Sequence, residues 1–462
     1  MRFRTRFALA AGKAAALGIR GFRAGGGTTL PGRVARKLDP SFVTEMVRGL
    51  PLGCALITGT NGKTTTATLL SSALDKAGMT PVHNRTGANL MAGVASALIG
   101  ESDMGGRTGG RLGLFEVDEA ALPAAVAQTS PKLVLVNNLF RDQLDRYGEL
   151  DTLAKMMAAA LRTLDVKSVV VLNADDPLVA SIGDGLDARV VYYGVEDRSL
   201  SSGGMQHAAD SKHCPLCGAA LDYEFHLFGH LGGYMCPACG MVRPVPAIAA
   251  LLVKAEGMEG SRCQVRYPGG TIEMFIPLPG LYNVYNMLAA TAAALSLGVE
   301  IDLIKEAVSS FDAAFGRVER IQAGDREVLM VLAKNPAGLN EVIRTLSGLH
   351  GRIDVVLALN DNIADGRDVS WIWDVDFEMF DGRLRNVTCT GTRAHDMALR
   401  IKYARVGEVT RRVEPDLKRA LDLGLDAVGH GATLYVVPTY TAMLELRSVM
   451  SRRGLVKQYW EG

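Results

Sequence analysis

Two stretches of the chain hold residue types at spacings that chemistry uses. The first is Gly59-Thr60-Asn61-Gly62-Lys63-Thr64-Thr65-Thr66. Glycines in such a turn let backbone N–H groups close around phosphate oxygens at the positive end of a helix. Lys63 would neutralise charge on the β- and γ-phosphates of ATP, and the Thr64 hydroxyl would ligate Mg²⁺. The second stretch pairs Cys214-Pro215-Leu216-Cys217-Gly218 with Cys236-Pro237-Ala238-Cys239-Gly240. Each knuckle offers two thiolates to one tetrahedral ion, and the glycine after the second Cys lets amides approach the sulfurs. With four protein ligands the expected Zn²⁺ is structural and has no open position for chemistry. His207, His213, His226 and His230 lie near, but the four cysteines already fill the tetrahedron. A redox C-x-x-C is the rival reading, and a doubled knuckle outside a thioredoxin-like βαβ unit argues against it. Cys54, Cys263 and Cys389 sit among apolar neighbours and read as inert core residues.

The elements around the first stretch suit its task. Residues 54–58 read as a buried strand and 67–77 as a helix, so strand, Gly-rich turn and helix follow in the order a phosphate loop requires. An ordinary Gly-rich turn would not call for Lys-Thr directly after the second Gly. At 462 residues, two or three domains are expected. With 48% hydrophobic and 21% charged residues, a disordered or fibrous chain is excluded. Lys+Arg 50 against Asp+Glu 49, with no aromatic-basic stripe around the cysteines, argues against a nucleic-acid partner. Seven cysteines, four of them in two tight pairs, suit a metal site in a reducing compartment, so a soluble cytoplasmic protein is expected. No apolar run approaches the roughly 18–20 residues of a membrane span.

The first forty residues depart from the neutral average, with nine basic residues and one acid, Asp39. Phe7 to Ile19 is rich in Ala and Leu, but Lys13 interrupts it and no small-residue cleavage site precedes Gly25-Gly26-Gly27. A surface helix before a Gly-rich loop is the favoured reading. The alternative is a basic amphipathic segment lying against anionic headgroups at the cytoplasmic face of the membrane.

The loop is two residues shorter than G-x-x-x-x-G-K-[ST], and this form, GTNGKTTT, resembles the Mur ligase and folylpolyglutamate synthase superfamily. Those enzymes use ATP to turn a carboxylate into an acyl phosphate that an amine attacks. Phe115-Glu116-Val117-Asp118-Glu119 resembles the family's acidic Mg²⁺ segment, and Asn137 to Asp145 its T-N-x-x-x-D-H-L-D segment with Gln143 for His. Asn173-Ala174-Asp175-Asp176-Pro177, Gly280 to Asn286 and Phe315-Gly316-Arg317 follow in the family's order. Each also has a plain reading: Asn283 and Asn286 as helix caps, Asp175-Asp176-Pro177 as a turn. The resemblance implies that Gly59, Thr60, Asn61, Gly62, Lys63, Thr64 and Thr65 hold ATP, with Asn286 on adenine and Arg317 on the phosphates. It implies Mg²⁺ on Thr64 and Glu116, with Glu119 as the alternative acid.

Departures from the amino-acid-adding ligases narrow this. The family's carbamylated lysine aligns with Met157, which reads as a core residue, and the nearest lysine is Lys155. Lys334-Asn335-Pro336-Ala337-Gly338 stands where those ligases have His-Asn-Pro. An acidic block from Leu359 to Asp374 follows, with Trp371 and Trp373 in it, which suggests a buried or interface role. Within the superfamily the chain resembles the MurT family, the synthetase subunits of lipid II isoglutaminyl synthase. That resemblance implies amidation of D-glutamate in the lipid II stem peptide, with ammonia from a GatD-type class I glutaminase subunit. It also implies that Asp368 completes the partner's Cys–His pair, with Asp374 as second choice. Rival readings are an amino-acid-adding Mur ligase or folylpolyglutamate synthase, and a P-loop regulator without ligase activity.

The expected fold is α/β. A basic N-terminal segment (1–48) precedes a Mur-ligase-like P-loop domain (49–314) with a parallel sheet and a zinc ribbon inserted near 205–245. A Rossmann-like α/β domain (315–462) follows.

Overall fold

The computed structural model describes residues 1–21, 29–84, 88–141, 150–201, 211–311 and 318–456. β1 (Cys54–Thr58) is an apolar run, and every residue in it is buried, as a strand covered on both faces requires. The strands that follow are β2 (Pro81–His83), β3 (Leu112–Glu116), β4 (Leu133–Val136), β5 (Val169–Asn173), β6 (Arg189–Val195), β7 (Asp222–His226), β8 (Gly232–Met235), β9 (Ile248–Ala255), β10 (Ser261–Tyr267) and β11 (Gly270–Ile276). All but β7 and β8 form a nine-stranded sheet in the order β11-β10-β9-β6-β5-β4-β1-β3-β2. From β2 across to β9 its neighbours pair parallel, and β10 and β11 turn back antiparallel at the edge. The chain leaves β1 for the β2 edge, then returns to flank β1 with β3 on one side and β4 on the other. Strand order thus diverges at β1, and clefts open at the carboxyl ends of strands at such points.

Before β3 come the helices α1 (Phe3–Gly21), α2 (Leu30–Leu38), α3 (Phe42–Arg48), α4 (Lys63–Lys76) and α5 (Met91–Gly100). α4 packs one sheet face together with the helices Leu281–Ser296 and Ile301–Ser309. The other face carries α2, α3 and α5, and Ala8 and Leu9 of α1 join the same core as Cys54 and Leu56. The described part of the basic N-terminal segment is therefore packed onto the fold: α1 is a surface helix with an anchored inner side. Met157 is fully buried and Lys155 exposed, as expected of a core residue and its neighbour.

A second sheet holds β12 (Val318–Ala323), β13 (Arg326–Val331), β14 (Ile353–Ala358), β15 (Leu384–Thr390), β16 (Thr410–Val413) and β17 (Thr433–Pro438), in the order β12-β13-β17-β14-β15-β16. Only β12 pairs antiparallel, and apolar clusters cover both faces, as in a Rossmann-like layer. The β7–β8 hairpin stands apart between β6 and β9 and carries the cysteine knuckles. Its Phe225, Leu227, Phe228 and Leu231 pack into the main core, so the insertion is anchored there.

Candidate functional site: a phosphate loop under a two-sheet cleft and a four-sulfur cluster

The carboxyl ends of β1, β3, β4 and β5 deliver the site. β1 ends at Thr58, and α4 begins at Lys63 with Gly62 before it in the left-handed region, at φ 82°. A side chain at Gly62 would collide with Oδ1 of Asn286, and one at Gly59 would crowd the Asn137 and Asn138 amides. These glycines are required by both conformation and space. Asn138 props the loop, its Oδ1 accepting from the Asn61 amide at 2.8 Å. Asn137 Nδ2 donates to the Asn61 carbonyl at 3.2 Å and to Thr66 Oγ1 at 3.1 Å. Thr60 is tied down by its amide to the Asn138 carbonyl and by its hydroxyl at Phe140.

Lys63 Nζ donates to the Gly59 carbonyl and lies 3.2 Å from Oε2 of Glu119. Thr64 Oγ1 lies 3.2 Å from Oε1 of Glu116. The acidic segment after β3 thus serves the loop with both its glutamates: Glu116 faces the threonine and Glu119 the lysine. Asn84 clamps the Glu116 backbone on both sides, donating to its carbonyl and accepting from its amide, each at 2.8 Å. A hydroxyl and a carboxylate oxygen side by side are the hard donors that suit Mg²⁺.

Above the loop, a cleft partly open to solvent is lined from both sheets. Gly62, Thr65, Tyr282 and Asn286 form one wall, and Lys334, Asn335 and Glu341 another. Asn286 is buried and held by Asn283, which in turn donates to the Pro279 carbonyl. The Asn283 side chain therefore braces this turn, and Asn286 faces the cleft. Asn335 caps its helix through the Gly338 amide and also donates to Asn61 Oδ1 at 2.9 Å, across 274 positions of sequence. Glu341 is buried below the cleft, with Arg344 Nε 3.4 Å away, and burial pushes its carboxyl up to about 7 against that cation.

The Asp175-Asp176-Pro177 turn does two jobs. Asp176 caps the Pro177–Ile182 helix through the Leu178 and Val179 amides and accepts from Leu139 in the segment after β4. Asp175 accepts from Arg243 Nε and from the Tyr285 hydroxyl, both at 2.6 Å. Complete burial raises its pKa, opposed by Arg243 and Tyr285. Arg317 and the sequence from Asp142 to Gly148 lie outside the described residues.

The sulfurs of Cys214, Cys217, Cys236 and Cys239 all lie within 4.8 Å of one another. Cys214 meets Cys239 at 3.6 Å and Cys217 meets Cys236 at 3.5 Å. A tetrahedral ion with sulfurs at about 2.3 Å sets them about 3.8 Å apart, so the cluster fits zinc. The two knuckles repeat one geometry: Gly218 and Gly240 take φ of 78° and 77° and return their amides to the Cys214 and Cys236 carbonyls. Cys54, Cys263 and Cys389 are buried, and burial raises all three thiols, to about 11, 12 and 12.

On the second sheet, Asp368 is exposed and accepts from the Ser370 amide at 2.8 Å. That amide and the Ser370 hydroxyl hold its carboxyl below the usual range. Asp365 in the same loop is buried and accepts from the Thr441 amide and hydroxyl, which fixes the loop on the Tyr440–Arg452 helix. Trp371 is half-buried, whereas Trp373 is 48% exposed beside Tyr403 and the Arg400 guanidinium.

Asn84 and Glu341 were not legible as site residues in the sequence, whereas Asn137, Asn138 and Asn335 stood out only as parts of motifs. The position of Asn137 and Asn138 just past an apolar strand was the available signal. For Asn335 it was the Asn-Pro pair at a helix start, and for Asn84 and Glu341 the signal lies in tertiary contacts.

Known proteins resemble this chain in sequence and in fold. The "Mur ligase middle domain" family matches residues 57–232, and the "MurT ligase C-terminal" family matches residues 332–443. Among solved structures, a pseudomurein peptide ligase type C from Methanothermus fervidus superposes with a TM-score of 0.67 at 23% identity, over 87% of this chain and 79% of that one. MurF from Acinetobacter baumannii does so at 0.65 and 18%, over 90% and 80%. These likenesses establish the Mur ligase fold. The MurT subunit of lipid II isoglutaminyl synthase (glutamine-hydrolyzing) from Staphylococcus aureus strain COL is 33% identical over 92% of this chain and 93% of its own. The corresponding subunit of Streptococcus pneumoniae R6 is 32% identical over 99% of each. The chain belongs to the MurT family of Mur-ligase-fold proteins.

Proposed function

We propose that this chain is the synthetase subunit of a lipid II isoglutaminyl synthase, an ATP-dependent carbon–nitrogen ligase. The γ-phosphoryl group of ATP passes to the α-carboxylate of D-glutamate in the stem peptide, giving an acyl phosphate and ADP. Ammonia adds to the acyl carbon, phosphate leaves with the C–O bond, and loss of a proton gives D-isoglutamine. Phosphorylation converts a poor leaving oxygen into a good one, and a nucleophile as small as ammonia needs no amino-acid pocket.

The observation that carries this reading is the phosphate loop roofed by a cleft from both sheets and latched by Asn335 on Asn61. The amides around Gly59 to Gly62 cradle phosphate, Lys63 offsets its charge, and Thr65 and Asn286 line the nucleotide side. Thr64 and Glu116 are the residues that would hold Mg²⁺, which screens phosphate charge when bound. Arg317 is assigned to the phosphates by family resemblance. The four cysteines would hold a structural Zn²⁺. The second sheet would present Asp368 to a GatD-type glutaminase, whose Cys–His pair needs a group to orient the imidazole. Units at 1–48, 49–314 and 315–462 are our proposed division, with the join at 314/315 outside the described residues.

ADP release tests the reading. It should require lipid II and proceed with ammonium salt, but not with D-alanine, lysine or glutamate as the amine. Equal turnover with an amino acid would make the chain an amino-acid-adding ligase. Turnover without any acceptor would make it a P-loop regulator.

A further inference from the structure

α1 carries a second apolar stripe, on the side that faces solvent. A surface helix ordinarily turns its large apolar side chains inward. Here small and hydrogen-bonded groups share the inner side with Leu9: the Thr5 hydroxyl donates to Asp39 at 2.7 Å, Ala8 and Leu9 are fully buried, and Gly12 packs so closely that a side chain would strike Ile99. The largest apolar residues point to solvent instead, with Phe3 87% exposed, Phe7 59% and Leu17 68%. At 3.6 residues per turn, Phe3, Phe7, Ala10, Ala14 and Leu17 fall within about 80° of the helix circumference, nearly opposite Thr5, Ala8, Leu9 and Gly12.

Charge marks the occupant. Arg2 and Arg6 are exposed along one border of the stripe, and Arg33 and Lys37 are exposed on the adjoining α2. The only acid in the first forty residues, Asp39, is buried and used by Thr5 and Ser41. Among the described residues, Glu45 stands 3.7 Å from Arg2 and is shared with Arg48, and Glu101 and Asp103 lie on the loop that Lys13 reaches, with Arg107. No helix among the described residues is long and apolar enough to cross a bilayer. An exposed apolar stripe bordered by arginines is the pattern that settles at an anionic lipid surface, with rings among the acyl chains and guanidinium groups on phosphates.

We propose that the outer face of α1 is a docking surface for an anionic bilayer, and that it seats the chain on the membrane without spanning it. Its purpose rests on the lipid-linked substrate of the proposed function, whereas its evidence is the helix itself. Inner anchoring through Thr5, Leu9 and Lys13, which donates to the Ile99 carbonyl, makes α1 a rigid platform and not a tethered arm.

Co-sedimentation of the full chain with its glutaminase partner tests this, using vesicles of phosphatidylcholine alone and of phosphatidylcholine with phosphatidylglycerol. The wild type should bind the anionic vesicles and release them as salt rises. Phe3→Ser/Phe7→Ser/Leu17→Ser should weaken that binding about tenfold or more, and Arg2→Gln/Arg6→Gln should weaken it with a shallower salt dependence. Because the three apolar residues are exposed, the triple variant should melt with the wild type and turn over a water-soluble stem-peptide substrate equally. Equal vesicle binding by wild type and triple variant overturns the proposal. So does a smaller solution mass for the triple variant, which would mean that the stripe holds a protein. Loss of turnover on every substrate with vesicle binding intact would instead overturn the proposed function and leave the docking surface standing.

Discussion

Lys63 and Glu119 meet at 3.2 Å beneath the phosphate loop, with side chains only 10% and 9% exposed. The lysine expected to meet phosphate is thus already partnered by an acid from the segment after β3. Removing either partner leaves a buried charge uncompensated.

Lys63→Met should therefore do two separable things. ATP turnover should fall about 10²–10³-fold through loss of a charge at the transferring phosphoryl group. Stability should fall as well, by about 3–5 kcal/mol if the stranded carboxylate stays ionised. Adding Glu119→Gln should restore most of the melting temperature and none of the turnover. Recovery of turnover in the double variant would show that Lys63 serves the fold alone.

Zinc should stabilise the ribbon and, at one remove, the nucleotide cleft. Phe228 lines that cleft, and Arg344 Nη1 donates to the neighbouring Leu227 carbonyl at 2.6 Å. Metal analysis of chain purified without chelator should find one zinc. Cys236→Ser should lower the melting temperature first, because metal binding here is folding free energy. KM for ATP should then rise roughly two- to tenfold with kcat largely kept, the change that about a kcal/mol of lost packing gives.

Glu341 sets a pH dependence whose sign follows from its raised pKa. Its carboxyl is held neutral up to about 7, from an ordinary value of 4.5, because burial outweighs Arg344. Below about 4.5 both folded and unfolded chains carry the proton, and the burial costs nothing through ionisation. Between 4.5 and about 7 the unfolded chain ionises first, so stability falls as pH rises, and above that the penalty is constant. Glu341→Gln should remove that slope, up to roughly 3 kcal/mol across the window, in urea melts from acid to neutral pH. A wild-type curve parallel to the variant's would mean that Arg344 keeps the carboxylate ionised.

Asp368 separates the two nitrogen sources. Asp368→Asn should lower glutamine-dependent amidation strongly, by up to about 10⁴-fold as when a triad aspartate becomes asparagine, and spare the ammonium-fed reaction. Its exposure and its single hydrogen-bonded turn at Ser370 leave the carboxylate accessible to a partner. Equal loss with both sources would confine Asp368 to its own chain.

What was legible in the sequence was local. The phosphate loop, the knuckles, the burial of β1, the core position of Met157 and the inert cysteines each depend on residues within one element or one turn. Backbone geometry and hydrophobic pattern over a few positions decide such features. Which acid serves which loop residue was open at that level, since Glu116 and Glu119 are three apart and either can turn inward. Packing of β3 beside β1 decided it, with Glu116 at Thr64 and Glu119 at Lys63. The latch from Asn335 to Asn61 joins residues 274 positions apart, and the buried carboxyl of Glu341 owes its state to what surrounds it. α1 makes the same point from outside: its composition allowed a helix with either side inward. Only its contacts with α2 and α5 put Ala8, Leu9 and Gly12 against the core and left both phenylalanines in solvent, because Gly12 lies too close to Ile99 for any side chain and the inner face has no room for a ring.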